Sequence, residues 1–217
     1  MGSNLMHKLS RCISPASLAL YNYKTQKWED YILEKSNKID VWDGIFRMQG
    51  YRCAYCECEL LTFYKGHVEH FAQKGRFPQY TFDWNNLFGS CRRSDGCGFY
   101  KDHQTYQQED ILKVDVDDPD EFFDFLSDGS IVVKENLSKV AEHRARETLR
   151  VFNLDAEHGA LRQQRATAIK LYSHIISELN DYFEVYGVDD NFLELLDENL
   201  TEIEGVPFQT AIRHGFY

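Results

Sequence analysis

The sequence predicts an α+β fold, a small β-containing core braced by cysteines inside a mainly helical protein, and three observations predict it. Five of the six cysteines lie between Cys53 and Cys97. Short β-prone runs lie among them, whereas the stretches before and after carry apolar residues at helical spacing. The composition, 43% hydrophobic and 14% aromatic over 217 residues, is that of a folded chain with one sizeable core or two small units.

The elements follow in order. Residues 28–49 place Trp28, Ile32, Val41, Ile45 and Met48 at helix-compatible intervals, with a break expected near Ser36 and Gly50 as the stop, so two helices are predicted. The runs "LLTFY" and "HVEHF" then read as a β-hairpin turning at Lys65-Gly66. After a polar loop containing Pro78 comes "FDWNNLFGSC", and a short helix is expected from about Gly98. Residues 128–134, "DGSIVVK", suggest an isolated strand. One helix is predicted over 138–152 and a long one over 155–185, with Leu161, Ala168, Tyr172, Ile175, Leu179 and Phe183 on one face. A last helix follows the expected N-cap Asp190 and carries Leu193, Leu196, Leu200 and Ile203. The division predicted is an N-terminal helical segment (1–50), a cysteine-braced core (51–113) and an acidic helical region (114–217), the acidic, proline-containing stretch 114–121 being the expected linker.

Charge separates the halves. Residues 1–114 hold 15 Lys and Arg against 13 Asp and Glu, while residues 115–217 hold 9 against 22. The overall net charge of −11 therefore says little about the field around the cysteines. No apolar run approaches the roughly 18 residues of a membrane span, and the first residues lack the pattern of a signal peptide. A cytoplasmic protein is expected, in which clustered cysteines are metal ligands rather than disulfides.

Cys53 and Cys56 form a C-x2-C pair and Cys91 and Cys97 a second pair with five residues between them. Two pairs, each bracketing a turn, suit a tetrahedral structural Zn2+, which contributes folding free energy outright. Cys58 stands in a less usual C-x-C step and is left out of the set. Cys12, alone, reads as a small buried residue.

Zinc leaves "GHVEHF" unexplained. On a strand Glu69 and His70 project to opposite faces unless the strand ends there. Downstream, "DWNNLFGSC" supplies an asparagine before an apolar anchor, and "CGFYKDH" a lysine, a carboxylate and a histidine at a helix start. An acid and a histidine on a strand, an asparagine and a polar ligand on a helix describe a two-strand-plus-helix site for one hard divalent cation, with a neutral histidine activating water.

The run "CAYCE…HVEHF…WNNLFGSC…CGFYKD", residues 53–102, resembles the HNH endonucleases, whose ββα-metal core is often braced by a zinc held by two cysteine pairs. The start "MHKL", Trp28 and the C-terminal "PFQTAIR" extend the likeness to the HNH subunit of the Septu anti-phage defence system, also found with retrons. The resemblance implies a metal-dependent phosphodiester hydrolase with His70 as general base, Glu69 as metal ligand in place of the more usual aspartate, Asn86 as the residue that holds the loop and orients the base, and Cys53, Cys56, Cys91 and Cys97 on zinc. It implies catalytic Mg2+ or Mn2+, a nucleic-acid substrate (DNA, with RNA such as tRNA as the alternative), and an ATPase subunit, with or without a retron reverse transcriptase and its DNA, as partners. Many relatives carry Asn or His after the last cysteine, where this chain has Gly98. The second ligand is then expected from His103, with Asp102 orienting it, although helical phase favours Asp102. Lys74, Arg76, Arg92, Arg93 and Lys101, with Lys65, would hold a phosphate backbone, and Phe63, Tyr64, Phe77 and Tyr80 are available for stacking; His67 reads as structural or as a phosphate contact. The acidic region would dock on a basic or mixed protein surface, so that deletion after about Tyr186 should break the complex and spare the metal site. The alternative is a zinc-binding interaction module without catalysis.

Overall fold

The structure, a computed structural model, describes residues 8–62 and 65–216. Two helices open it, α1 (Trp28–Leu33) and α2 (Lys35–Gln49). The expected pair is present, but the break falls at Glu34, whose extended backbone (ψ 118°) interrupts the helix two residues before Ser36. The Asp30 carboxylate accepts a bond from the Lys27 amide at 2.9 Å and so caps α1. α2 buries Val41, Trp42, Ile45 and Met48.

Against α2 lies the hairpin of β1 (Gly66–His70) and β2 (Leu87–Cys91), antiparallel, with Gly66 opposite Cys91, Val68 opposite Gly89 and His70 opposite Leu87. This corrects the predicted hairpin. "HVEHF" pairs with "LFGSC", not with "LLTFY". The latter is tied up elsewhere: the Leu60 amide donates to Tyr51 O at 2.6 Å and Arg52 bridges Glu59, closing the first cysteine loop. Phe63 and Tyr64, expected to stack on bases, lie outside the described residues, as do Met6 and His7 of "MHKL". Gly89 has to be glycine because a Cβ there would sit 2.6 Å from Ile45 Cγ2. The Gln49 amide completes the contact: its Oε1 accepts from the Gly89 amide at 2.7 Å and its Nε2 donates to Gly89 O at 2.9 Å.

α3 (Cys97–Lys101) packs on the hairpin near its expected start. The strand expected alone at 128–134 is paired: β3 (Phe123–Phe125) and β4 (Ile131–Val133) form a second antiparallel hairpin, Phe125 opposite Ile131. The acidic run before β3 hid its alternation. Residues 114–121 are packed rather than a free linker, for Val114 O accepts from the Leu9 amide at 2.9 Å and Asp115 pairs with Arg11 at 2.7 Å. α4 (Lys139–Phe152), capped by Ser138 Oγ, brings Phe152 onto Tyr55 with ring centroids 4.2 Å apart.

The long helix expected over 155–185 is two, α5 (Ala160–Leu171) and α6 (Ser173–Tyr186), separated at Tyr172 (φ −100°, ψ 12°). Tertiary partners decide this. Ile169 packs with Phe208 and Ala211, whereas Ile175 and Leu179 pack with Ile203, Ile212 and Phe216. The chain starts α5 late because Asp155 is engaged outside it, accepting from the Ile131 amide at 2.8 Å. α7 (Asp190–Glu202) is capped one residue earlier than expected, by Asp189, which accepts from the Phe192 amide at 2.8 Å. The "PFQTAIR" run contributes α8 (Gln209–Arg213). It returns to the cysteines: the Glu57 carboxylate accepts from the Thr210 amide and hydroxyl at 2.9 and 2.5 Å, and Glu57 O from the Phe208 amide at 3.2 Å. No helix among the described residues is long and apolar enough to cross a membrane.

Candidate active site and cysteine cluster

The ligand sulfurs of Cys53, Cys56, Cys91 and Cys97 lie within 4.8 Å of one another, all buried and none in a disulfide. Zinc–sulfur bonds of about 2.3 Å in a tetrahedron put sulfurs about 3.8 Å apart. Cys56 Sγ and Cys91 Sγ are 3.9 Å apart, so the set fits a zinc ion. Cys58 is outside the set, though its carbonyl accepts from the Cys53 amide at 2.9 Å and helps shape the loop. The bonds they give to the Cys53 sulfur push the Cys56 and Cys97 thiols well above their ordinary range. Cys53 is itself held well below that range, despite burial, because its neighbours donate to it. Without a cation such a set shares its charge on few sulfurs; a dication lets all four ionise. Cys12 is half-buried, its thiol donating to Gly44 O at 3.3 Å.

Beside the cluster, β1 and the start of the following loop line a cleft of about 770 Å³ together with Trp28, Lys74, Arg76, Arg92, Phe99 and Asp102. His67 and Glu69 share a strand face, and His70 reaches the same cleft because β1 ends there. His70 is buried edge-on against Trp28, centroids 4.7 Å apart, and its Nε2 bonds Thr81 O at 3.1 Å. A carbonyl only accepts, so Nε2 carries the hydrogen and the neutral ring keeps its lone pair on Nδ1. Burial pushes the His70 pKa down to about 4. It is therefore neutral, and able to take a proton, at ordinary pH.

Asn86 holds the loop. Its Oδ1 accepts from the Ala72 amide at 2.6 Å, its Nδ2 donates to Ala72 O and Tyr80 O at 3.0 and 3.1 Å, and its carbonyl accepts from the Phe71 amide at 2.9 Å. One side chain thus ties the start of the loop, just after His70, to its end. Thr81, which anchors His70, lies in the same tied loop.

Glu69 is buried and forms an ion pair with Lys101, whose side chain has no exposed surface. Lys101 Nζ also donates to His70 O at 2.7 Å and Phe71 O at 3.2 Å. Burial alone would lower the Lys101 pKa, but the Glu69 charge holds it above its ordinary value. Lys101 is therefore corrected from a phosphate contact to an internal brace. The other Glu69 oxygen lies 3.5 Å from His67 Nε2, and both His67 ring nitrogens are buried without a hydrogen-bond partner. Gly98 explains itself here. A Cβ at that position would stand 2.5 Å from Glu69 Oε2, so the carboxylate fills the room a side chain would need.

Of the remaining candidates, Asp102 lines the cleft and lies 3.3 Å from Lys101 Nζ, while exposed His103 turns its Nδ1 to Phe99 O at 2.9 Å. His103 is not among the residues that line the cleft with Glu69. Lys74, Arg76 and Arg92 line the cleft, Lys74 pairing with Glu29 at 2.5 Å across from α1. Arg93 pairs instead with Asp95 at 2.8 Å, and Lys65 faces Glu59 at 4.0 Å. Phe77 and Tyr80 do not line the cleft with the basic residues. Sequence reasoning missed His67 as the companion of Glu69, although positions 67 and 69 necessarily share a strand face; it named Trp28 only for its helical spacing and its part in the resemblance, and neither its contact with His70 nor that of the Thr81 carbonyl carries a local signal.

The orphaned His67 ring beside a carboxylate fits a divalent cation, with His67 and Glu69 as the protein donors and Asp102 within the same cleft. No family profile matches the chain. It is similar to the Septu protein PtuB of Bacillus thuringiensis, with 31% identity over 121 residues, 52% of this chain and 44% of that protein. The chain thus spans less than half the length of this relative, and the likeness is to a Septu protein over about half of the chain.

Proposed function

We propose that this chain is a metal-dependent HNH-type endonuclease, acting as the effector of an anti-phage defence complex with an ATPase subunit. The observation that carries the reading is His70: a neutral histidine, its tautomer set by a backbone carbonyl, at the floor of a cleft that also presents a carboxylate and three basic side chains. The similarity to a Septu protein supports the defence role. His70 Nδ1 takes the proton of the attacking water as the new P–O bond forms. The P–O bond to the leaving oxygen breaks, and that oxygen is protonated from solvent. His67 and Glu69 would hold a divalent cation, which when bound would supply charge neutralisation at the scissile phosphate. Lys74, Arg76 and Arg92 position the flanking phosphates, and Asn86 keeps the loop, and with it the Thr81 carbonyl, in register.

Cleavage of plasmid DNA, single-stranded DNA and RNA with Mg2+, Mn2+ or chelator tests this. His70→Ala should lower the rate by about 10²–10⁴-fold with fold and zinc content unchanged. The base must be neutral, so the acid limb of kcat/KM should lie well below the ordinary histidine value of about 6.5, activity being lost as the pH falls towards 4. Metal-dependent cleavage retained in His70→Ala refutes the assignment. The pairing of Glu69 with Lys101 favours the second reading, a zinc-braced interaction module, and absence of cleavage on all three substrates would select it.

A further inference from the structure

We infer that the far end of the α6–α7 hairpin is a protein-docking surface, and that its partner presents an apolar pocket rimmed by lysine and arginine. The inference takes up the partner-binding part of the proposed function and does not depend on the nuclease part.

Near its base the hairpin is well anchored. Ile175 and Leu179 from α6 and Ile203, just after α7, are buried with Ile212 and Phe216. That core runs out towards the turn. Phe183, Val185 and Tyr186 in the last turn of α6, Val188 in the connection and Leu193 in the first turn of α7 are all more than half exposed. All five fall within about one helical turn of the connection, so they gather at one end of the hairpin. Single exposed apolar residues are ordinary, but a group of five at one tip marks a contact surface. The tip is also shaped. Tyr182 stacks obliquely with Tyr186 at 4.8 Å, Phe183 meets Phe192 at 5.9 Å, and the Tyr182 hydroxyl donates to the helix-capping Asp189 carboxylate at 3.2 Å. An aromatic set held in this way loses little side-chain freedom on binding.

Charge selects the occupant. From Ser173 to Glu204 the chain carries ten Asp and Glu and no Lys or Arg. Asp181, Glu184, Asp190 and Glu194 are exposed around the tip. Nucleic acid and anionic membranes are repelled by such a surface. A second copy related by a twofold axis would set the same acids against themselves. A basic rim around an apolar pocket satisfies both features, the rim steering approach and the pocket providing the holding contacts.

The test places a photo-crosslinking p-benzoylphenylalanine at Val185 in the full chain, expressed in its native host, and sequences the adduct peptides on both sides. The protein identified is then purified and its Kd measured for the parent, Tyr186→Ala, and the charge swap Asp190→Lys with Glu194→Lys. Expected are one protein adduct in a basic-rimmed apolar pocket, at least about 10-fold weaker binding for Tyr186→Ala, and a salt dependence in the parent that the charge swap diminishes. Unchanged circular dichroism and melting confirm that the variants fold. An adduct to nucleic acid, lipid or a second copy, no adduct at all, or an unchanged Kd in both variants overturns the proposal. Cleavage assayed on the isolated chain keeps the two readings apart: an active enzyme without a tip adduct sinks the docking surface alone, and a docked but inactive protein sinks the nuclease alone.

Discussion

Replacing Lys101 with methionine removes a buried charge from the centre of the site without emptying its space. The lysine meets the Glu69 carboxylate and donates to two backbone carbonyls, all without exposed surface at the lysine side chain. Methionine keeps most of the volume, so the cavity term is small and the cost is electrostatic. Breaking a buried ion pair from one side leaves an uncompensated charge and typically costs about 3–5 kcal/mol, into which the two orphaned carbonyls also feed. For a chain of this size that is a fall of roughly 6–20 °C in Tm. Urea titration followed by circular dichroism, with zinc saturating, measures it. The decisive arm is the double variant Lys101→Met with Glu69→Gln, in which no charge is left unpaired: stability should recover by at least about 1 kcal/mol, a coupling larger than non-interacting sites show. A single variant as stable as the parent, or a double variant whose losses simply add, refutes the internal brace.

Three further outcomes follow from the structure. Gly98→Asn should lower stability by about 1–3 kcal/mol in thermal melts and should not improve cleavage, because its Cβ would stand 2.5 Å from Glu69 Oε2. The purified chain should contain one equivalent of zinc by elemental analysis; Cys53→Ser and Cys91→Ser should lose it together with solubility and thermal stability, and an unchanged Tm argues against the metal. Deletion after Tyr186 was expected to spare that site, but it removes Thr210, which donates twice to Glu57 in the first cysteine loop, so Glu57→Ala and the truncation should both speed zinc release to a chromogenic chelator.

What the sequence by itself determined is everything set by local spacing. The cysteine pairs, the helix periodicity of 28–49 and 138–152 and the stop at Gly50 all depend on neighbours a few residues away, and all are present in the structure. The charge asymmetry of the two halves is likewise a property of composition. Tertiary structure alone decided pairings between distant segments. "HVEHF" could pair with "LLTFY" or "LFGSC" on β-propensity alone; the choice fell to the long-range partner because the nearer one is spent closing the cysteine loop. The break at Tyr172 has no Gly or Pro to announce it and comes from two separate packing partners. Within the candidate site, His70, Glu69 and Asn86 were legible as residue types in order. Their surroundings were not: Lys101 reads as a surface cation until Glu69 and two carbonyls are folded around it, and Gly98 reads as a missing ligand until the Glu69 carboxylate fills its place. A charge in sequence carries no record of its solvent exposure, and burial, which sets both its partner and its protonation, exists only once the chain has closed over it.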